Sequence, residues 1–263
     1  MHLPKPYLGM GTWGMGGTWE RDPSNIDTSI EALRTGFSLG LKIIDVAELY
    51  GAGLSEEIVG RAVAGRRQDA YLISKVWKTN LRYDDVLRAA YGSLKRLDTD
   101  YLDLYLIHYP NEEVPLSETM RAMEQLVDEK LVRAIGVSNF SPQLIEEAQS
   151  YLKHTAIIAH EFEYNLLARE AERDVVPYCR AHDIDMIAYR PFAKGALAHQ
   201  TNALVEECAQ KYAKTPNQIA LNWIISQGIV AIPKSGNPAH IAENAGALGW
   251  ELSLQDIERL RSA

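Results

Sequence analysis

Ile43-Ile44-Asp45-Val46-Ala47-Glu48-Leu49-Tyr50-Gly51 is the stretch on which the fold turns. It opens as an apolar run of strand type and breaks at Gly51. Asp45 therefore closes a buried strand, and Tyr50 sits in the loop beyond it. An acid at a strand end is, alone, more often a turn or cap residue. Two later runs end in the same way. Tyr71-Leu-Ile-Ser-Lys75 closes on a lysine, and Leu102-Asp-Leu-Tyr-Leu-Ile-His108 closes on a histidine. If these strand ends converge, a carboxylate, a phenol, an ammonium and an imidazole share one site, a set suited to delivering a proton to a carbonyl oxygen.

Working outward, strand-type and helix-type runs alternate along the whole chain. Tyr7 to Met15 reads as a short strand running into a glycine-rich loop. Asp22-Pro23-Ser24 opens a helix over about Asn25 to Leu39, with Ile26, Ile30, Leu33 and Phe37 at helical spacing. Beyond Tyr50, helices are expected over Ser55–Ala64, Tyr83–Leu97 and Ser117–Glu129, with strands at Ala70–Lys75, Leu102–His108 and Val132–Val137. Ser141-Pro142 starts the next helix with a hydroxyl cap and a first-turn proline. Strands follow at Ala156–Phe162, Asp185–Tyr189 and Ile229–Pro233. The remaining helices are Asp174–Ala181, about Asn202–Lys211, Pro216–Gln227, Pro238–Ala245 and Leu254–Arg261.

The count is eight strand-then-helix units, with strand ends near Gly11, Asp45, Lys75, His108, Ser138, Glu161, Tyr189 and Pro233. Spacings of roughly thirty residues match one βα unit. Strict alternation implies a parallel sheet with right-handed crossovers. Eight units in a chain of this length point to an α/β fold of the (β/α)8 TIM barrel type, a single domain over residues 1–263. The competing fold is an open doubly wound sheet, because Gly9-Met-Gly11-Thr-Trp-Gly14 is a literal dinucleotide fingerprint. That fingerprint should open a helix directly and lead to an acid about twenty residues on. Here Trp19, Arg21 and Pro23 intervene before any helix, and Asp45 lies farther along.

With 46% hydrophobic and 24% charged residues the chain has the make-up of a globular protein with a substantial core. A net charge of -8 with no basic cluster argues against nucleic acid or an anionic membrane as partner. Neither a signal-peptide h-region nor a membrane-spanning apolar run is apparent. Cys179 and Cys208 stand far apart without metal-site spacing and fit a reducing cytoplasm. A metal centre is not expected, since one histidine, one carboxylate and a lysine make a poor ligand set.

Chemically, a carbonyl accepting hydride develops charge on oxygen and needs a proton. Tyr50 can supply it, with the Lys75 ammonium expected to lower the phenol below its ordinary pKa near 10. Asp45 would hold Lys75 charged, and a neutral His108 would donate a second hydrogen bond to the same oxygen. The plainer alternative is a structural ion pair beside a core imidazole. Four such residues at consecutive strand ends tip the balance toward a site.

The chain resembles the aldo-keto reductases over nearly its whole length. The resemblance rests on Gly9-Met-Gly-Thr-Trp-Gly14, Asp45-Val-Ala-Glu-Leu-Tyr-Gly51, Ile73-Ser-Lys75, Leu106-Ile-His108, Gly136-Val-Ser-Asn-Phe140, Glu163-Tyr-Asn165, Ala188-Tyr-Arg-Pro191 and Ile232-Pro-Lys-Ser235. It implies a (β/α)8 barrel that reduces aldehydes or ketones with NADPH, NADH being possible, and a tetrad of Asp45, Tyr50, Lys75 and His108. By the same resemblance Ser138 and Asn139 hold the nicotinamide carboxamide and Tyr189 stacks on its ring. Lys234 and Ser235 meet the adenosine 2′-phosphate, and Glu243 and Asn244 the adenine. Gly11, Thr12, Trp13, Asp45, Glu161, Arg190, Pro191 and His240 complete the cofactor's surroundings.

Three departures from the family pattern stand out. Glu161 replaces the usual Gln, and an ionised carboxylate can only accept hydrogen bonds. His240 stands where NADPH-preferring members often carry Arg, and lacks its bidentate fork. The N-terminus is too short for the family's usual hairpin across the barrel bottom. Trp13, Trp77 and Tyr109, with Tyr50 and His108, are expected to wall an open, apolar substrate pocket for small or aromatic aldehydes. A monomer is expected. Competing readings are a non-catalytic, cofactor-binding regulatory subunit of aldo-keto reductase type and a barrel isomerase or lyase working without nicotinamide.

Overall fold

The computed structural model describes residues 2–196 and 203–262. Met1, Ala263 and the expected helix start at Asn202 lie outside the described residues. Among the described residues, eight parallel strands run in the order of the chain: β1 (Met10–Gly11), β2 (Ile43–Asp45), β3 (Tyr71–Val76), β4 (Leu104–Ile107), β5 (Ile135–Ser138), β6 (Ile157–Glu163), β7 (Asp185–Tyr189) and β8 (Val230–Ala231). Parallel bridges Leu8–Ala231 and Gly11–Lys234 join the last strand to the first. Gly9 and Gly11 donate their N–H groups to the carbonyls of Ala231 (2.8 Å) and Pro233 (3.0 Å). Gly11 is required at this seam, because a Cβ there would lie 2.8 Å from the Ile232 carbonyl oxygen.

The strands at the seam are shorter than the apolar runs that announce them. Pro233 has no N–H to continue a ladder, and the chain leaves β1 at Thr12 to turn over the rim. At β5, Val132 makes only an isolated bridge to Leu102, and the ladder proper starts at Ile135.

Around the barrel stand α1 (Ile26–Ser38), α2 (Leu54–Val63), α3 (Tyr83–Leu97), α4 (Leu116–Asp128), α5 (Pro142–Ser150), α6 (Val175–Ala181), α7 (Ala203–Tyr212), α8 (Pro216–Ile225), α9 (Pro238–Ala245) and α10 (Leu254–Arg261). Their starts follow the cap chemistry of the sequence. The Ser141 hydroxyl accepts from Leu144 N–H, and Thr215 and Gln218 cap α8 reciprocally.

What positions the site is the two-residue period of the strands. Ile43, Ile73, Leu104, Leu106, Ala134, Ala159, Ile187, Val230 and Ile232 form an apolar plug inside the barrel, separate from the larger core under the helices. Leu3 belongs to the same plug and is 4% exposed. Its N–H donates to Asp185 Oδ2 at 2.6 Å, so the described N-terminal residues fill the barrel bottom with one leucine. Two residues past the plug come Asp45, Lys75, His108, Glu161, Tyr189 and Lys234, and Ser138 stands four past Ala134 at the end of β5. The apolar filling thus gives way to a polar layer at the C-terminal rim, where barrel loops build sites.

Candidate active site

The polar layer is densest around Lys75, which is fully buried, with Asp45 and Glu161 each 2% exposed. Lys75 Nζ donates to both Asp45 carboxylate oxygens at 2.5 Å and to the Val46 carbonyl at 3.3 Å. Glu161 Oε2 lies 3.4 Å from the same nitrogen and has no well-aligned hydrogen-bond partner. Tyr50 packs beside Lys75, whose Nζ stands 5.4 Å from the phenol ring centroid. His108 faces the same ring at 5.7 Å, edge-on. The four residues read from the strand ends are therefore together, and Glu161 is in the cluster with them.

Local chain geometry explains how Tyr50 reaches inward. It opens a short 3-10 turn, Tyr50–Gly53, in which Gly51 has φ +55°. A Cβ on Gly51 would lie 2.3 Å from the Gly16 carbonyl oxygen, so only glycine lets this turn press on the first loop. Gly51 N–H donates to the Thr18 carbonyl at 2.8 Å. Glu48, from the same stretch, accepts from Trp77 N–H (2.7 Å) and Asn80 Nδ2 (3.0 Å) and pins the loop after β3.

The electrostatics correct two expectations. Burial pushes the Tyr50 phenol above its ordinary range. Lys75 pulls it back only in part, and Asp45 and Glu161 push it further up, so the phenol is not made more acidic in this site. The reason is that Lys75 is already matched by Asp45 on both oxygens. Glu161 is also not the ionised acceptor expected. Burial and the adjacent Asp45 charge hold its carboxyl well above the carboxylate range, so it keeps a proton and can donate. Burial alone would deprotonate Lys75, but the carboxyls of Asp45 and Glu161 outweigh it and the ammonium persists. His108 is pushed down to about 2 by burial and by Lys75. It is neutral, and its Nδ1 lacks a partner.

Aromatic rings wall the mouth. Trp13 stands edge-on to Tyr50 at 5.0 Å, Trp77 edge-on to His108 at 5.1 Å, and Tyr109 stacks on His108 at 5.4 Å. Trp19 joins them although nothing in the sequence reading placed it there. It lies 5.1 Å from Trp13 and 6.4 Å from Trp77 and is 59% exposed. Its loop is held by a two-pronged Arg21–Glu57 pair and by the Gly51–Thr18 bond. The available signal was its position in the loop after β1, on the rim.

Across the mouth, Asn139 occupies left-handed backbone at φ +62°. Its Nδ2 donates to the His108 carbonyl (3.0 Å) and Ser138 Oγ (2.9 Å), and its Oδ1 accepts from the Tyr189 hydroxyl at 2.8 Å. Arg190 and Pro191 follow at the end of β7, with the Arg190 guanidinium on Glu163 at 2.7 Å. Thr12 is fully engaged: its hydroxyl donates to the Asp45 carbonyl (2.9 Å) and accepts from Ser55 (2.9 Å), tying β1 to β2. Beyond β8, exposed Lys234 precedes buried Ser235, whose Oγ accepts from Asn237 N–H at 3.1 Å at the start of α9. His240 is exposed on that helix and Asn244 is buried in it. The Glu243 carboxylate accepts from Thr215 at 2.8 Å, so it braces α8.

An acid cluster at the C-terminal rim of a parallel eight-stranded barrel narrows the possibilities, and comparison with known proteins decides among them. The Aldo/keto reductase family model matches residues 7–263. The chain belongs to the aldo/keto reductase family. It is therefore an enzyme of a family of NAD(P)H-dependent oxidoreductases. It is 37% identical over 262 residues to the methylglyoxal reductase YeaE of Escherichia coli, covering 98% of this chain and 90% of that protein. It is 32% identical over 259 residues to a glyoxal reductase of Bacillus subtilis, covering 97% and 86%. Among solved structures, a thermostable aldo-keto reductase, Tm1743, bound to the inhibitor epalrestat superposes with a TM-score of 0.94 at 43% identity, covering 98% of this chain and 95% of that one. A Klebsiella pneumoniae aldo/keto reductase in complex with NADP and acetate superposes with a TM-score of 0.87 at 36% identity, covering 98% and 90%. In this aldo-keto reductase no described helix is long and apolar enough to cross a membrane.

Proposed function

We propose that this chain reduces small or aromatic aldehydes and ketones to alcohols with NADPH, with Tyr50 as the proton donor. The observation that carries the proposal is the fully buried Lys75, bonded to Asp45 and packed beside the Tyr50 ring, next to a neutral His108 at an apolar mouth. A bound nicotinamide cofactor would supply hydride to the carbonyl carbon. Tyr50 gives its proton to the oxygen, and Lys75 stabilises the phenolate left behind. His108 orients the same oxygen with a hydrogen bond, and burial keeps it from becoming a competing acid.

The residues present fit the cofactor. Ser138, Asn139 and Glu161 offer polar atoms beside the cluster, and Tyr189 supplies a flat ring tied to Asn139. Lys234, Ser235 and the N-terminus of α9 form an anion site for a phosphate group. Activity as a monomer in the cytoplasm is part of the proposal, in keeping with the two buried free thiols. Consumption of NADPH with methylglyoxal or 4-nitrobenzaldehyde tests it. Cofactor binding without turnover would favour the regulatory-subunit reading instead.

Three further results are expected. Lys234→Ala removes a charge-assisted hydrogen bond to the 2′-phosphate, worth about 1.5–3 kcal/mol. It raises the Kd for NADPH by roughly 10–100-fold and leaves NADH nearly unchanged, read by quenching of tryptophan fluorescence. His240→Arg does the reverse and strengthens NADPH alone. Equal NADPH dissociation constants for that variant and the parent would remove His240 from the cofactor site. At the mouth, Trp19→Ala raises KM for 4-nitrobenzaldehyde by about three- to tenfold, the worth of one aromatic contact, and leaves methylglyoxal little affected. Equal changes for both substrates would take Trp19 out of the pocket.

A further inference from the structure

Two carboxyls and one ammonium, none more than 2% exposed, meet in a pocket closed by the barrel plug beneath. Lys75 satisfies Asp45 through both oxygens. Glu161 is left 3.4 Å away with Oε2 unpartnered, so a second full negative charge there would be buried without its own counter-ion. Charge balance is met by one extra proton, and Glu161 is the group in position to hold it, within hydrogen-bond reach of Asp45.

We propose that Glu161 is a positioning residue that carries this spare proton, and that losing it turns the site from favouring reduction to favouring oxidation. The inference rests on the carbonyl-reductase reading above. While Glu161 is neutral, Lys75 balances Asp45 and can take up the charge of the Tyr50 phenolate. Once Glu161 ionises, its negative charge opposes phenolate formation, and proton donation by Tyr50 becomes harder. The same charge attracts an oxidised nicotinamide, which is cationic, over the uncharged reduced ring. No covalent bond changes at Glu161; it gains or loses one proton to solvent.

The groups facing it support this assignment. Asp45 comes from β2, Tyr50 from the turn beyond it, Lys75 from β3 and neutral His108 from the end of β4. The strands paired with β6 on either side contribute Ser138 from β5, with Asn139 just beyond it, and Tyr189 from β7, none charged at neutral pH. Glu161 is thus the titrating carboxyl with no dedicated cation.

The test uses the full chain and Glu161→Gln, which is nearly isosteric and permanently neutral. In the parent, the ratio of NADP⁺ affinity to NADPH affinity rises about tenfold per pH unit through one ionisation, and kcat for reduction falls over the same interval. In Glu161→Gln both the ratio and that limb of kcat are flat. Charges that meet the 2′-phosphate act on both cofactor forms alike and cancel in the ratio. Infrared spectra of the cofactor-free protein at neutral pH should show a protonated carboxylic acid band that the variant lacks. A flat affinity ratio in the parent overturns the proposal, whether or not the variant folds. So does an unchanged infrared band in the variant. Failure to bind either cofactor would instead fall on the carbonyl-reductase reading, and the infrared band alone would then decide where the proton lies.

Discussion

Tyr50→Phe lowers kcat for aldehyde reduction by about 10²–10⁴-fold, the usual worth of a positioned proton donor. The substitution removes one oxygen and keeps the ring. The edge-on contacts with Trp13 at 5.0 Å and His108 at 5.7 Å remain available, so the wall of the pocket and the cofactor site stay intact. NADPH affinity should therefore change by less than about threefold, a shift below 1 kcal/mol. The pH dependence sharpens the test. Burial raises the Tyr50 phenol, so the parent keeps this proton throughout the neutral range. An alkoxide is a stronger base than a phenolate, and transfer from a weakly acidic phenol still runs downhill. His108, pushed down to about 2, contributes no acidic limb near neutrality. Loss of NADPH binding in parallel with kcat would make Tyr50 a packing residue, and an unchanged kcat would end the acid assignment.

Most of this site was legible because strand periodicity and residue type agree. Asp45, Lys75 and His108 each stand two residues beyond an apolar strand residue, Ile43, Ile73 and Leu106. A period of two therefore carries them onto the same interior face. The barrel was legible for a related reason: helix caps such as Ser141-Pro142 and Thr215-Pro216 mark starts that the structure reproduces. Protonation was not legible. It depends on how many carboxyls share one ammonium, a three-dimensional sum that places Glu161 against Asp45 and raises the phenol of Tyr50. Nor was Trp19, because a loop residue has no periodicity to report its direction. It is held over the mouth by the Arg21–Glu57 fork and by the close approach of Gly51 to Gly16. Glu243 and Thr12, which the resemblance assigns to the cofactor, also brace the fold in a way the sequence does not report, Glu243 on Thr215 and Thr12 on Ser55 and Asp45.

Lys75→Met should cost stability as well as activity, and the two losses separate by pH. The side chain is fully buried and its ammonium donates to both oxygens of Asp45. Removing one member of a buried ion pair typically costs about 3–5 kcal/mol, because the remaining charge stays desolvated. Methionine fills much of the volume, so a cavity contributes little. In the variant, Asp45 and Glu161 face each other with no cation, and both carboxyls are raised above their unfolded values. A carboxyl raised in the folded state holds its stabilising proton below the unfolded pKa and loses that contribution as pH climbs through the folded pKa. The deficit is therefore smallest in mild acid and largest at neutral pH and above, opposite in sign to the acid sensitivity of an ordinary surface carboxylate. Denaturant midpoints of parent and variant, measured across that range, should diverge as pH rises. Adding Asp45→Asn to Lys75→Met removes the stranded charge and should recover a large part of the stability, while reduction of aldehydes stays absent. A pH-independent deficit, or no recovery in the double variant, would mean that packing rather than charge balance dominates at this position.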